Sequence, residues 1–271
     1  MDYFRISPQA LGQDARIPIL KLGDSGEVFY ELALCMFREI ERNNLAGKKS
    51  AIICPVGPVG QYPIFVRLVN ESRLSLENCY FFNMDEYLQD GDEWLDASDP
   101  LSFRGYMQRE VYGRIDPGLL MPPSQRIFPD PKDTAALGKL LNSLGGADLC
   151  VGGIGINGHV AFNEPESGMP EEAFRNLSVR ALNISPETRA VNAAGSLGGA
   201  LHAMPRRCVT IGMREILGAK KIRLGCFRDW HRAVVRQAAY GEPGTHFPVT
   251  LLQSHPDAMI LVNENAARQP Y

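Results

Sequence analysis

A glycine-rich segment that holds one histidine carries the clearest chemical signal in the sequence. It runs from Val151 to Pro165 and contains four glycines, at 152, 153, 155 and 158. Glycines let a backbone turn sharply and approach a ligand closely. His159 follows Asn157, and Glu164 lies five residues further on. A histidine can exchange protons near neutral pH, and a nearby carboxylate can orient it, so this segment predicts a proton-transfer site.

The same glycines allow a second interpretation. Gly153, Gly155 and Gly158 form the pattern GxGxxG after a predicted strand, as in dinucleotide-binding proteins. The pattern runs directly into His159 instead of an uninterrupted helix, and no clear ribose-binding acid follows it. The sequence therefore favours proton transfer over binding of a dinucleotide.

Two adjacent acids, Asp85 and Glu86, follow the apolar run Phe81–Phe82 and Asn83. Loss of water around an aspartate raises its pKa toward working pH, which suits a general base. A helix N-cap or a solvated loop charge is the commoner role of such a pair. Taken alone, the pair leaves both roles open.

A glycine- and proline-containing turn follows the predicted strand Ser50–Cys54. It includes Gly57, Pro58 and Gly60 and leads into a helical pattern. Such a turn can present backbone N–H groups to an anion. A plain turn between a strand and a helix is the more frequent use of this pattern, so an anion site here remains one of two interpretations.

Short β-rich runs alternate with helical periodicity, which predicts an α/β fold in one domain over residues 1–271. Ligands then bind beyond the carboxyl ends of the strands. The predicted strands are Ser50–Cys54, Cys79–Asn83, Asp148–Gly152, Arg207–Gly212, Lys221–Cys226 and Ala258–Val262. The predicted helices are Gly26–Asn44, Gln61–Asn70, Thr134–Leu144, Arg214–Leu217 and Trp230–Tyr240. Gln89–Pro100 and Glu164–Pro186 are predicted as long loops, either binding loops or solvated insertions.

Composition narrows the class of protein. The 271 residues include 28 Lys and Arg against 31 Asp and Glu, a formal charge of −3. No broad basic field is available for nucleic acid or an anionic membrane. The start has no secretory pattern and no run approaches a membrane span, which predicts a cytoplasmic protein. Six scattered cysteines without a CxxC pair predict reduced core residues and no zinc site.

Taken together, these motifs resemble those of the glucosamine-6-phosphate deaminases. The resemblance rests on Phe82–Tyr87 and Gly153–Pro165. It continues through Thr188–Asn192, Val209–Leu217 and Phe247–Pro256, and spans about residues 26 to 265. The wider superfamily includes ribose-5-phosphate isomerase and 6-phosphogluconolactonase. It implies a modified Rossmann-like three-layer α/β/α sandwich with a mainly parallel sheet, without a nicotinamide cofactor.

The resemblance implies conversion of glucosamine 6-phosphate to fructose 6-phosphate and ammonia through an open-chain aldose–ketose isomerisation. It implies hydrolase, isomerase and deaminase activity, no metal and no cofactor. Asp85 resembles the base that moves a proton between C1 and C2. His159 resembles the group that opens the pyranose ring, with Glu164 tuning it and Asn157 beside it. Relatives include hexamers and monomers, so a homo-oligomer stays open.

The sequence departs from the family around the phosphate. Asn157 stands where many members carry an aspartate, and a neutral partner stabilises an imidazolium less. The turn at Gly57 contains no Ser or Thr hydroxyl, and Ala193–Ala194 stand where the family has an arginine. A family lysine is replaced around Arg228. The resulting substrate-binding candidates are Gly57, Pro58, Gly60, Glu86, Gly155, Arg189, Arg228 and His231.

These departures leave two alternatives. One is an isomerase of another sugar, including one without a 6-phosphate, because charge-assisted hydrogen bonds to a phosphate are lost. The other is a sugar-phosphate sensor without catalysis. A sensor needs no proton-transfer groups, so Asp85, His159 and Glu164 together favour an enzyme.

Overall fold

The computed structural model describes residues 2–271. Its strands are β1 (Ile19–Leu22), β2 (Ser50–Cys54), β3 (Cys79–Asn83), β4 (Asp85–Gln89), β5 (Glu93–Trp94), β6 (Arg126–Ile127), β7 (Leu149–Gly153), β8 (Arg180–Asn183), β9 (Arg207–Thr210), β10 (Ile222–Cys226) and β11 (Ala258–Asn263). Its α-helices are α1 (Ser25–Leu45), α2 (Gln61–Ser72), α3 (Phe103–Met107), α4 (Ala136–Ser143), α5 (Glu171–Arg175), α6 (Pro186–Ser196), α7 (Met213–Leu217), α8 (His231–Tyr240) and α9 (Glu264–Ala267). Turns of 3-10 helix lie at Tyr3–Arg5, Pro123–Gln125, Leu201–Ala203 and Pro248–Ser254, and a π-helical turn spans Gln108–Tyr112.

A seven-stranded sheet in the order β1-β11-β10-β7-β2-β3-β6 forms the middle layer. Every neighbouring pair in it is parallel. Successive residues of a strand point to opposite faces, and Ile52 and Ile53 of β2 belong to two different core clusters. Both are 0% exposed, so helices cover the sheet on both faces. The predicted three-layer α/β/α sandwich is confirmed.

A second sheet, in the order β5-β4-β9-β8, is antiparallel and joins the first at one residue. The amide of Met84 donates to the carbonyl of Cys54, at 2.9 Å, in the parallel sheet. The carbonyl of Met84 accepts from the amide of Ile211, at 2.7 Å, beside the antiparallel sheet. Asp85 is therefore the first residue of β4, pressed against the end of the main sheet.

This second sheet corrects two sequence predictions. The chain does not leave strand structure after Asn83, because β4 starts at Asp85. The strand predicted at Arg207–Gly212 ends at Thr210 and pairs antiparallel with β4 instead of joining the parallel sheet. Two consecutive acidic residues are not typical of a buried strand, so the sequence pattern does not predict β4, which becomes evident only from the residues packed around it. The two predicted loops also contain regular elements, β5 in the first and α5 and β8 in the second.

Five of the six cysteines are buried, as predicted for core residues, whereas Cys35 is partly exposed, and all six are free. Over residues 2–271 no helix combines the length and the apolar character that a bilayer crossing demands. In the same range, no group of three or more His, Cys, Asp and Glu side chains is arranged to hold a metal ion.

Candidate active site

A cavity of about 400 Å³ opens at the carboxyl end of the parallel sheet. Its walls include Pro55–Val59 after β2, Met84 and Asp85 after β3, Gly153–Ile156 after β7, and Phe227–Arg228 after β10. These four strands are neighbours in the sheet, so their carboxyl ends meet at one place. The cavity lies where ligands of parallel α/β proteins bind.

The structure brings most of the predicted site residues to this cavity. Those that line it are Gly57, Pro58, Asp85, Gly155, His159, Arg228 and His231. Asn157 and Glu164 lie behind the histidine and contact it. Gly60, Glu86 and Arg189 do not line the cavity.

Asn157 fixes the imidazole of His159. Its Oδ1 lies 2.7 Å from Nδ1 of the ring. An amide oxygen only accepts, so Nδ1 carries the proton and Nε2 stays free to act as acceptor. A Cβ on Gly155 would lie 2.2 Å from Nε2, so only glycine leaves room for the ring in this position.

Glu164 completes the support of the histidine. Its Oε2 accepts from Nδ2 of Asn157 at 2.6 Å and from Oγ1 of Thr188 at 3.2 Å, and lies 3.5 Å from Nδ1 of His159. Burial raises the pKa of this carboxyl, but the hydrogen bond and charge of His159, with Asn157 and Thr188, outweigh burial and lower the pKa to about 2. The group is a carboxylate that can stabilise a positive imidazolium.

Asp85 has the opposite environment. It is 7% exposed, and within residues 2–271 no amide or side chain donates a hydrogen bond to its carboxylate. Burial, and then the neighbouring charge of Glu86, raise the pKa of Asp85 well above its usual range. A carboxylate in this state binds a proton more readily than an exposed one, as a general base requires.

The structure contradicts substrate binding by Glu86. Alternation along β4 turns its side chain away from that of Asp85, and it is 0% exposed. Its oxygens accept from the amides of Tyr87, Phe103 and Arg104 and from the hydroxyl of Ser102, at 2.8 to 3.0 Å. Each carboxylate oxygen of Glu86 thus accepts two hydrogen bonds from the protein.

Two further residues predicted to bind substrate do not line the cavity, Arg189 and Gly60. Arg189 lies outside the cavity because its guanidinium donates to the carbonyls of Leu201, Met204 and Pro205. Gly60 is required for packing, since a Cβ there would lie 2.3 Å from Cδ2 of Phe29.

His231 lines the cavity but cannot supply a positive charge there. Its Nδ1 lies 2.9 Å from the amides of both Phe227 and Arg228, which donate to it. Its Nε2 donates to the carbonyl of Ile154 at 3.1 Å. Burial, together with the smaller effect of the nearby Arg228 charge, lowers the pKa of His231 to about 3, although the hydrogen bond to Ile154 opposes this shift. The neutral ring orders the loop after β10.

Arg228 is therefore the remaining cationic candidate. Among the lining residues in the described range 2–271, it is the single Lys or Arg. Its guanidinium lies 5.8 Å from the ring centre of Phe227, and Nη1 would lie 3.6 Å from a Cβ on Gly195. The charge thus stands between the loop after β10 and helix α6.

Sequence reasoning missed three polar residues of the site. Thr188 bonds Glu164 and lies 3.2 Å from Nδ1 of His159. Asn192 donates to the hydroxyl of Tyr87 at 3.0 Å, and both line the cavity. Thr188 and Asn192 bound a stretch already noted for its resemblance, but only the position of α6 shows which of its side chains face inward.

The low pKa of Glu164 predicts a pH-dependent part of the stability. The pKa of Glu164 is lower in the folded protein than in the unfolded chain. Its ionised form therefore stabilises the fold when the pH is above the unfolded-state pKa, and this contribution is lost as the pH falls toward the folded-state pKa. A lowering from 4.5 to about 2 corresponds to on the order of 3 kcal/mol. We expect Glu164→Gln to lower the free energy of unfolding at pH 7, with the difference from wild type shrinking between pH 5 and 2. Urea unfolding measures it, with exposed Glu172→Gln as control. A difference independent of pH would contradict the assignment.

No family model matches the chain. A glucosamine-6-phosphate deaminase of Beutenbergia cavernae is 31% identical over 78% of this chain and 77% of its own length. One of Staphylococcus saprophyticus is 28% identical over 92% of this chain and 98% of its own. A solved monomeric glucosamine-6-phosphate deaminase matches with a TM-score of 0.79 and 26% identity, covering 92% of this chain and 98% of its own.

A solved 6-phosphogluconolactonase of Trypanosoma cruzi matches with a TM-score of 0.68 but 17% identity, over 92% of this chain and 95% of its own. That likeness shows the shared fold alone. The sequence-based inclusion of hydrolase activity is wrong, because the relatives similar in sequence are deaminases, whereas the lactone hydrolases share only the architecture. On the similarity to the Beutenbergia protein, and with the two motifs at one cavity, this chain belongs to the glucosamine-6-phosphate deaminase family.

Proposed function

We propose that this chain isomerises and deaminates glucosamine 6-phosphate or a close relative, giving a ketose phosphate and ammonia. One observation carries the proposal: a buried carboxylate that receives no hydrogen bond from residues 2–271 and a histidine held in one tautomer line the same cavity. Such a pair can serve two separate proton transfers, and this family's name describes the substrate.

The first transfer opens the pyranose ring, and His159 performs it. Nε2 takes the proton of the C1 hydroxyl and returns a proton to the ring oxygen, which gives the open-chain aldehyde. During this step the ring becomes an imidazolium. Asn157 orients it through Nδ1, and the negative Glu164 stabilises its charge.

The second transfer moves a proton from C2 to C1, and Asp85 performs it. Its raised pKa suits a group that must take up a proton and release it again. As the C2 proton moves to C1, a proton of the amino group passes to the C1 oxygen, which leaves an imine at C2. A water molecule then adds to C2, and ammonia leaves as the C2 ketone forms.

Arg228 binds the anionic end of the substrate in this proposal. A guanidinium forms charge-assisted, often paired hydrogen bonds with phosphate oxygens. The turn at Gly57 and Pro58 lines the same cavity.

One observation supports a second candidate, an isomerase of a sugar without a 6-phosphate. A single permanent cation among the described lining residues is a small charge for a phosphate dianion. The turn after β2 adds no Ser or Thr hydroxyl.

The buried, free cysteines fit a reducing compartment, and we propose a cytoplasmic location.

Removal of the base tests the proposed reaction. We expect Asp85→Asn to lower kcat for ammonia release from glucosamine 6-phosphate by about 10²–10⁴-fold, the usual contribution of general acid–base catalysis. Substrate binding, measured by calorimetry, should change little because the amide keeps the shape. Exposed Asp90→Asn is the matched control. Comparable kcat in Asp85→Asn and wild type would remove Asp85 from this role.

Removal of the imidazole tests ring opening. We expect His159→Gln to slow reaction of the closed pyranose by about 10²-fold, and to slow reaction of a ketose offered in open-chain form much less. Stopped-flow kinetics with the two substrates give the comparison, with exposed His202→Gln alongside. Equal losses with both substrates would show that His159 acts after the ring has opened.

Replacement of the cation tests phosphate binding. A hydrogen bond to a charged group contributes about 1.5–3 kcal/mol, so Arg228→Ala should raise KM for glucosamine 6-phosphate by about 10–100-fold. Arg228→Lys should recover part of the loss, and exposed Arg206→Ala should have no effect. An unchanged KM in Arg228→Ala would favour the substrate without a 6-phosphate.

A further inference from the structure

Glu86 is a buried carboxylate that the proposed reaction does not use. It follows Asp85 directly in β4 and is 0% exposed. Oε1 accepts from the amides of Tyr87, at 2.9 Å, and Phe103, at 3.0 Å. Oε2 accepts from the hydroxyl of Ser102, at 2.9 Å, and the amide of Arg104, at 2.8 Å. Three of the four donors come from a segment more than a dozen residues away in sequence.

That segment forms one wall of the cavity. Leu101, Ser102, Phe103 and Tyr106 line it, and we call Leu101–Tyr106 the α3 wall. Ser102 also accepts from the amide of Gly105, at 3.1 Å, as the N-cap of α3. One carboxylate therefore holds both the start of α3 and the turn before it.

The two neighbouring acids of β4 thus face different surroundings. Asp85 lines the cavity and receives no hydrogen bond from the described residues, whereas Glu86 receives four. The backbone fixes both at once, because strand alternation turns one side chain toward the substrate and the next toward the α3 wall. Because one peptide bond joins Asp85 and Glu86, a displacement of the α3 wall that moves Glu86 also moves Asp85.

We propose that Glu86 is a positioning residue, which holds the α3 wall at a fixed distance from Asp85 and so sets the shape of the cavity around the substrate. The inference rests on the proposed function for the meaning of the cavity, but the holding of the wall itself is independent of any substrate.

Burial raises the pKa of Glu86 above its usual range, but the four donors oppose this shift and favour the ionised form. Three are backbone amides, which only donate, and the Ser102 hydroxyl already accepts from Gly105 and gives its own proton to Oε2. The other charged and titratable groups around the pair are Arg104, with Nε 3.9 Å from Oε2, Tyr87 on the same strand and Cys208 on β9. The charge of Glu86 contributes to the raised pKa of Asp85.

Two substitutions separate the wall from the charge. Ser102→Ala removes one hydrogen bond to Glu86, together with the N-cap bond from the amide of Gly105, and leaves the charge of Glu86 in place. Glu86→Gln keeps the size but removes the charge and turns an amide NH₂ toward a donor. Ser98→Ala is the matched control, since Ser98 also donates to a carboxylate, that of Asp96 at 2.7 Å, in the exposed loop before the wall.

Hydrogen exchange of the free protein is the first readout. We expect the amides of Phe103 and Arg104, which donate to Glu86, to exchange at least about tenfold faster in Ser102→Ala and Glu86→Gln, the factor for loss of one hydrogen bond to a charged group. Ser98→Ala should match wild type. Unchanged exchange in Ser102→Ala would overturn the proposal, even if Glu86→Gln failed to fold. This readout needs no turnover, so it stands apart from any failure of the proposed function.

Kinetics provide the second readout. Both variants should raise KM, because a loosened wall weakens substrate binding. Only Glu86→Gln should also move the acid limb of the kcat/KM profile to lower pH, because Asp85 acts as carboxylate and loses a neighbouring negative charge that raised its pKa. An acid limb that moves equally in both variants, or a KM unchanged in both, would contradict the positioning role.

Discussion

The backbone of Met84 is the constraint on which the site depends. Its amide bonds to the parallel sheet and its carbonyl to the segment after β9, so the chain passes between two sheets without an intervening loop. This junction puts Asp85 at the carboxyl end of β3, beside the ends of β2 and β7. A carboxylate held there by two ladders cannot turn out to water, and its burial is what gives it the character of a base.

The carboxylates of the site differ through their hydrogen bonds more than through their burial. Asp85 and Glu164 are equally exposed, at 7%. Donors around Glu164 keep it charged, whereas Asp85 has none in the described structure, and their pKa values move in opposite directions. Opposed shifts of neighbouring acids are how one cavity can hold both a fixed negative charge and a proton acceptor at the same pH.

The sequence predicts the main sheet well because its strands are continuous apolar runs. The observed bounds of β2 and β3 match their predicted bounds, and Asp85 and His159, the residues predicted to transfer protons, line the cavity at the carboxyl ends of the strands. β4 was not predicted, since paired acids resemble a loop until Ser102 and Arg104 are seen to bury Glu86. Likewise, the sequence does not reveal that the guanidinium of Arg189 donates to backbone carbonyls, so it predicts a cation available to the substrate.

Among the described residues that line the cavity, Arg228 is the single Lys or Arg, and the relatives similar in sequence are glucosamine-6-phosphate deaminases. The most direct test measures ammonia and ketose together, from glucosamine 6-phosphate, from its galacto epimer and from unphosphorylated glucosamine. We expect equal amounts of ammonia and fructose 6-phosphate from the first, and much slower release from unphosphorylated glucosamine. No release by the folded protein, or equal turnover with and without the phosphate, would contradict it.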